Sequence, residues 1–150
     1  MSSECCKKAI FAGSFNPFTV GHMSVLQRAL PLFDHVYVVV GVNLAKETGS
    51  EAQKRVMEIE KAVDGMPGVS VMMWDGLTID LAHQLDAQFL IRGVRTVVDF
   101  EYEYTMACAN RRIGGVETIF IPALPEHVDV NSSIVRELQH YGHDISQYLP

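Results

Sequence analysis

The feature that most constrains this chain is a nearly uninterrupted apolar run, His35-Val-Tyr-Val-Val-Val-Gly-Val42, set between segments of helical periodicity. A strand without polar alternation is buried on both faces, as in a parallel sheet covered by helices on either side. Further short runs rich in β-branched or aromatic residues accompany it at Lys8–Ala12, Val69–Trp74, Gln88–Ile91 and Glu117–Ile121. Between them the spacing predicts helices at Gly21–Leu30, Ser50–Val63, Thr78–Leu85 and Asp99–Ile113. A last helix starts at Asn131 or Ser132 and ends near Tyr141. Pro31, Gly114-Gly115 and Gly142 are stop signals, and Ser50-Glu-Ala-Gln53 has the pattern of a capping box. Alternating βα units joined by right-handed crossovers predict an α/β fold, a single doubly wound domain on a five-stranded parallel sheet. At 150 residues the chain suits one core.

Charge narrows the partners. With 12 Lys and Arg against 18 Asp and Glu, the net charge of −6 argues against a basic face for long nucleic acids. A local basic pocket for a small anion stays open. No apolar run approaches the ~20 residues of a membrane helix, and Met1-Ser-Ser-Glu-Cys-Cys-Lys-Lys-Ala-Ile10 lacks the apolar stretch of a signal peptide. The expectation is a cytoplasmic protein without a membrane partner. Cysteine usage agrees: Cys5, Cys6 and Cys108 form no disulfide framework. Neighbouring residues have Cα atoms ~3.8 Å apart, too close for a comfortable disulfide, so free thiols are expected. Cys5 and Cys6, like His83, His140 and His143, lack companions at metal-ligand spacing.

In a doubly wound sheet, ligands bind beyond the carboxyl ends of the strands. The first such turn, Gly13-Ser-Phe-Asn-Pro-Phe-Thr-Val-Gly-His22, runs into a helix whose free N–H groups suit a phosphate. Gly13 and Gly21 leave room for close approach of a ligand or a neighbouring strand. His22 either adds a donor to those N–H groups or is an incidental residue of a surface helix. The turn is neither a Walker loop nor a dinucleotide-binding glycine motif. Lys46, past the second strand, is a point charge for a phosphate or a solvated loop cation. Arg92 and Arg95 bracket Gly93 directly after a strand; they suit phosphate oxygens, or form a surface pair with Arg95 held by Asp99. Asn131-Ser132-Ser133 is a helix cap, a phosphate loop, or both. Trp74, Phe100, Tyr102 and Tyr104 belong to the core or to a subunit contact.

The first turn, ending in Thr19-Val-Gly-His22, resembles the His/Thr-x-Gly-His signature of a nucleotidyltransferase superfamily. Leu90-Ile-Arg-Gly-Val-Arg-Thr-Val-Val-Asp-Phe-Glu-Tyr-Glu103 is similar to the motif of phosphopantetheine adenylyltransferase, and Val130-Asn-Ser-Ser-Ile-Val-Arg-Glu137 looks like that family's C-terminal nucleotide loop. The resemblance spans nearly the whole chain. It implies a Rossmann-like domain that transfers AMP from ATP to 4′-phosphopantetheine, giving dephospho-coenzyme A and pyrophosphate in coenzyme A biosynthesis. It further implies Mg²⁺ as cofactor and a homohexamer.

The same resemblance assigns roles. His22, Lys46 and Arg92 are the implied catalytic residues. Ser14 and Phe15 contact both substrates, and His22 holds the triphosphate and stabilises the transition state. Lys46 and Arg92 bind the acceptor phosphate, with Thr78 contributing through its backbone. Gly93, Val94, Arg95 and Glu103 line the ATP site, over which His127, Val128, Asp129, Val130, Asn131, Ser132 and Ser133 close. Mg²⁺ is expected on the phosphates and water, because no paired carboxylates mark a protein cage. Asn16 stands where the family commonly has Asp, and Asn131 where it commonly has Ser, which bears on fine specificity. Nicotinate mononucleotide or glycerol phosphate are rival acceptors, against which the Arg92 to Glu103 motif argues. A nucleotide-binding regulatory module is the rival of another class; it would leave His22 and Lys46 without a joint purpose.

Overall fold

The computed structural model describes residues 5–150. Residues 1–4, on which part of the export expectation rests, lie outside the described residues. The strands are β1 (Lys8–Gly13), β2 (His35–Gly41), β3 (Val69–Trp74), β4 (Phe89–Val94) and β5 (Glu117–Pro122). The helices are α1 (Val20–Ala29), α2 (Gly49–Ala62), α3 (Thr78–Leu85), α4 (Val97–Gly114) and α5 (Ser132–His140). All strand pairs are parallel, in the order β3-β2-β1-β4-β5. The expected five-stranded parallel sheet is therefore present.

Two cores sandwich it. On one face Leu26 and Ala29 of α1 and Val56 and Ile59 of α2 pack against Phe11, Val38, Val40 and Ile91 of the sheet. On the other, Ile79, Leu81 and Ala82 of α3 pack against Ile10, Val39 and Leu90. β2 supplies both clusters, which is why its sequence shows no polar alternation.

Most element ends fall within one or two residues of the sequence expectation, and three differences bear on the site. The capping box of α2 is Thr48-Gly-Ser-Glu51 rather than Ser50 to Gln53: the Thr48 Oγ1 accepts from the Glu51 N–H at 3.3 Å, and Glu51 accepts from the Thr48 N–H at 2.9 Å. The same pattern occurs twice, two residues apart, and the frame that forms is the one with the anionic Glu51 at the third helical position, where its carboxylate reaches back to the cap N–H. The α4 helix starts at Val97, because Thr96 caps it by accepting from the Asp99 N–H at 3.2 Å. β4 runs on to Val94, so Arg92 lies within the strand rather than after it. Its pairing with β1 stops at Phe11↔Ile91, whereas pairing with β5 continues through Arg92↔Phe120, Gly93↔Ile121 and Val94↔Pro122. The sheet thus splits between β1 and β4, the point where connections turn to opposite faces and where a crevice must open.

Of the aromatic residues singled out, Trp74 packs against the second core and donates its indole N–H to the Leu77 carbonyl at 2.9 Å. Phe100 lies edge-on to Phe120 at 5.4 Å, while Tyr102 and Tyr104 are exposed. No residue of α4 is buried in the monomer, although Val97, Val98 and Ile113 are more than 70% exposed hydrophobics at 77%, 75% and 71%. Cys5, Cys6 and Cys108 are free and exposed. Among the described residues no helix is long and apolar enough to cross a membrane.

Candidate active site

The β1–β4 split opens into a cleft of about 250 Å³. The first turn forms its floor through Ser14, Phe15, Gly21 and His22, and Gly93, Val94 and Arg95 form one wall. His127 and Val130 reach in from the segment before α5.

His22 is fixed by its own helix start. The Thr19 Oγ1 accepts from the His22 N–H at 3.3 Å, and His22 Nδ1 accepts from the Thr19 N–H at 3.0 Å. An imidazole whose Nδ1 accepts a hydrogen bond carries its proton on Nε2. Phe15 and Phe18 enclose the ring, with centroids 5.0 and 5.5 Å away. Burial first, then the positive charges of Arg95 and Arg92, lower the pKa of His22 from 6.5 to about 4. His22 is therefore a neutral N–H donor near pH 7, and the arginines carry the positive charge.

That state has a cost in acid. The unfolded chain takes up the histidine proton near pH 6.5 and the folded protein only near 4, so stability falls as pH drops through that interval. Between pH 7 and 5 the shift amounts to about 2 kcal/mol. Urea unfolding at both pH values should show His22→Gln losing about 2 kcal/mol less than the wild type. Equal losses would mean that His22 is not held neutral by the fold.

Phe15 itself is only 3% exposed, and its φ of 47° puts its backbone in the left-handed region. Its ring also explains Gly13. A Cβ there would stand 3.0 Å from Phe15 Cε1, so the glycine makes room for the aromatic cluster rather than for a phosphate.

Arg92 spans the split. Its Nη1 donates to the Ala12 carbonyl at 2.6 Å, and Nε and Nη2 donate to the two oxygens of Glu103, each at 2.7 Å. A guanidinium has five N–H bonds, so two remain for an anion. Glu103 lines the cleft chiefly as the carboxylate that aims Arg92. Arg95 is likewise paired, through Nε, with Asp99 at 3.3 Å, as the spacing suggested.

A second depression of about 350 Å³ adjoins the first, with Arg92 and Glu103 in the wall between them. It is more apolar: Leu77, Tyr102, Met106 and Ile113 line it beside Thr78 and Asn110. Thr78 is the first residue of α3, whose N-cap Leu77 offers no side-chain cap, so backbone N–H groups remain available there. Asp99 and Glu103 are the carboxylates of the first cleft, and each is held by an arginine. Among the described residues no cluster of three or more His, Cys, Asp or Glu could hold a metal ion.

The structure does not bring every expected residue together. Lys46 is exposed beyond β2, on the other side of β1 from Arg92, and lines a groove with Asn16 and Glu47. Val128, Asp129, Asn131, Ser132 and Ser133 do not line the first cleft. Asn131 caps α5, accepting from the Ile134 N–H at 2.9 Å, and Ser132 donates to the Pro17 carbonyl at 2.8 Å. Ser133 accepts from Arg136, which also donates to the Asn16 carbonyl at 2.6 Å. This segment grips the first turn.

A cytidylyltransferase-like family model matches residues 10–138, from β1 through most of α5. A phosphopantetheine adenylyltransferase of Bacteroides thetaiotaomicron is 49% identical over 144 residues, covering 96% of this chain and 95% of that one. The chain belongs to this family. A Porphyromonas gingivalis phosphopantetheine adenylyltransferase is 42% identical over 142 residues, 95% of this chain and 93% of that one. Among solved structures, a Vibrio parahaemolyticus protein described as a nicotinate-nucleotide adenylyltransferase superposes with a TM-score of 0.70 over 97% of this chain and 87% of that one. At 22% identity that likeness speaks for the fold alone. Sequence reasoning gave no site role to Arg55, Arg136 or Asn110, and Tyr102, read there as a core or subunit-contact residue, lines the second cleft with Met106 and Asn110. Arg55 had a signal: it sits on the buried stripe Ala52, Arg55, Val56 and Ile59, where a charge needs partners.

Proposed function

We propose that the protein transfers AMP from ATP to the phosphate of 4′-phosphopantetheine, yielding dephospho-coenzyme A and pyrophosphate. The observation that carries this reading is the pair of joined clefts with Arg92 in their shared wall. One offers phosphate donors and the other an apolar trough, and this acceptor has a phosphate at the end of a long neutral arm. The triphosphate lies along the start of α1, where the Val20 and Gly21 N–H groups have no capping partner. The remaining N–H bonds of Arg92, together with Lys46, hold the acceptor phosphate.

An oxygen of that phosphate attacks the α-phosphorus in line. The bond from the α-phosphorus to the bridging oxygen breaks, and pyrophosphate leaves with the electron pair. His22 donates from Nε2 to the charge that builds on the α-phosphoryl oxygens, and Arg95 adds positive charge. No side chain is a nucleophile; the rate comes from positioning and preorganised charge. Because Glu103 and Asp99 are paired with arginines, Mg²⁺ would be held by the ATP phosphates and water rather than by protein carboxylates, and would supply neutralisation of the triphosphate charge. We place the reaction in the cytoplasm. Pyrophosphate release with ATP and a panel of phosphorylated acceptors tests the reading: turnover with 4′-phosphopantetheine supports it. Turnover only with nicotinate mononucleotide or glycerol phosphate defeats it.

The same reading includes a homohexamer. The exposed apolar side chains of α4 are more than a solvated helix normally shows and suit a face between subunits. Sedimentation velocity at micromolar concentration should give a hexamer. A stable monomer contradicts the proposal.

A further inference from the structure

Arg55 is only 8% exposed and lines neither of the two clefts. A buried guanidinium is costly unless its N–H bonds are met, so its partners carry the information. Nη1 donates to the Ser14 carbonyl at 2.9 Å, and Nη2 pairs with Glu47. Ser14 belongs to the first turn and lines the ATP cleft. Glu47 follows Lys46 in the segment between β2 and α2. One planar fork therefore ties the turn on which the substrates meet to the segment that carries Lys46.

Among the described residues, the other hydrogen bonds of positions 43–48 in that segment are local. The Lys46 and Glu47 N–H groups donate to the Asn43 carbonyl at 2.9 and 3.0 Å, and Thr48 begins the α2 cap. Glu47 is the side chain that links this segment to Arg55, and Arg55 in turn reaches Ser14, the residue that follows β1. We infer that Arg55 is a positioning residue for the acceptor phosphate, acting through Glu47 to hold Lys46 at a fixed distance from Ser14. This rests on the reading that Lys46 binds that phosphate. A lysine at position 55 keeps the charge but, as a single ammonium, lacks the planar fork that spans both partners.

The test is steady-state kinetics of Arg55→Lys, Glu47→Ala, Lys46→Ala and the double variant Lys46→Ala/Glu47→Ala, with each substrate varied in turn. Arg55→Lys and Glu47→Ala should each raise KM for 4′-phosphopantetheine by about fivefold or more and leave KM for ATP within about twofold. In the Lys46→Ala background, Glu47→Ala should add less than about 1.5-fold, because the two residues act as one unit. A purely structural clamp would weaken both substrates together and would act equally with or without Lys46. Either pattern overturns the inference. If Lys46→Ala alone leaves acceptor KM unchanged, the role of Lys46 itself falls, which is a separate and recognisable failure.

Discussion

His22→Ala is expected to lower kcat by about 10²–10³ at saturating substrates, the cost of losing one preorganised donor at a developing charge. The geometry sets this value. The ring is locked by Thr19 and enclosed by Phe15 and Phe18, so no reorganisation is needed when charge builds on the α-phosphoryl group. It is also neutral near pH 7, so its attraction for ground-state ATP is modest compared with that of the two arginines. The loss should therefore fall on kcat more than on ATP affinity. The variant also loses half of the α1 capping box, worth about 1 kcal/mol of stability, which an unfolding curve separates from catalysis. Turnover within about threefold of wild type would remove His22 from the mechanism.

Lys46→Ala and Arg92→Ala should each cut kcat/KM for 4′-phosphopantetheine by at least about tenfold, or ~1.4 kcal/mol. In strand order the two cations flank β1, one beyond β2 and one on β4, and the proposed reading sets the acceptor phosphate between them at the end of β1. Charge-assisted bonds of this kind are the strong ones, and their loss also disturbs the approach to the α-phosphorus. Arg92→Ala should be the more damaging. It leaves Glu103, whose side chain is 11% exposed, without its cationic partner, placing an unpaired carboxylate beside an anionic substrate. ATP dissociation constants should move much less, since His22 and Arg95 remain. If both variants lose ATP affinity and keep normal acceptor kinetics, the two sites have been assigned in reverse.

Much of this was legible in the residues. The apolar His35–Val42 run fixes a doubly covered strand, and a doubly covered strand fixes the architecture. The first turn and the Arg92 to Glu103 stretch meet in space because β1 and β4 are neighbours at the split, as their order in such a sheet requires. What could not be read was pairing between distant segments. Nothing local says that Glu103 grips Arg92 from the next helix, that Arg55 reaches back to Ser14, or that Arg136 holds Asn16. Those contacts depend on how α2, α4 and α5 dock. The loop from His127 to Ser133 illustrates the same limit: its polar residues were visible, but their use in capping α5 and clamping Pro17 depends on the fold. Gly13 looked like a gap for a phosphate until its neighbour Phe15 was seen to fill the space.

The central claim is the destination of the adenylyl group, and following that group is its most direct test. Purified protein incubated with ATP labelled at the α-phosphate, Mg²⁺ and 4′-phosphopantetheine should move the label into dephospho-coenzyme A, with one pyrophosphate released for each adenylyl transferred. Label that stays in ATP, appears only as free AMP, or moves only to a different phosphorylated acceptor would contradict the account.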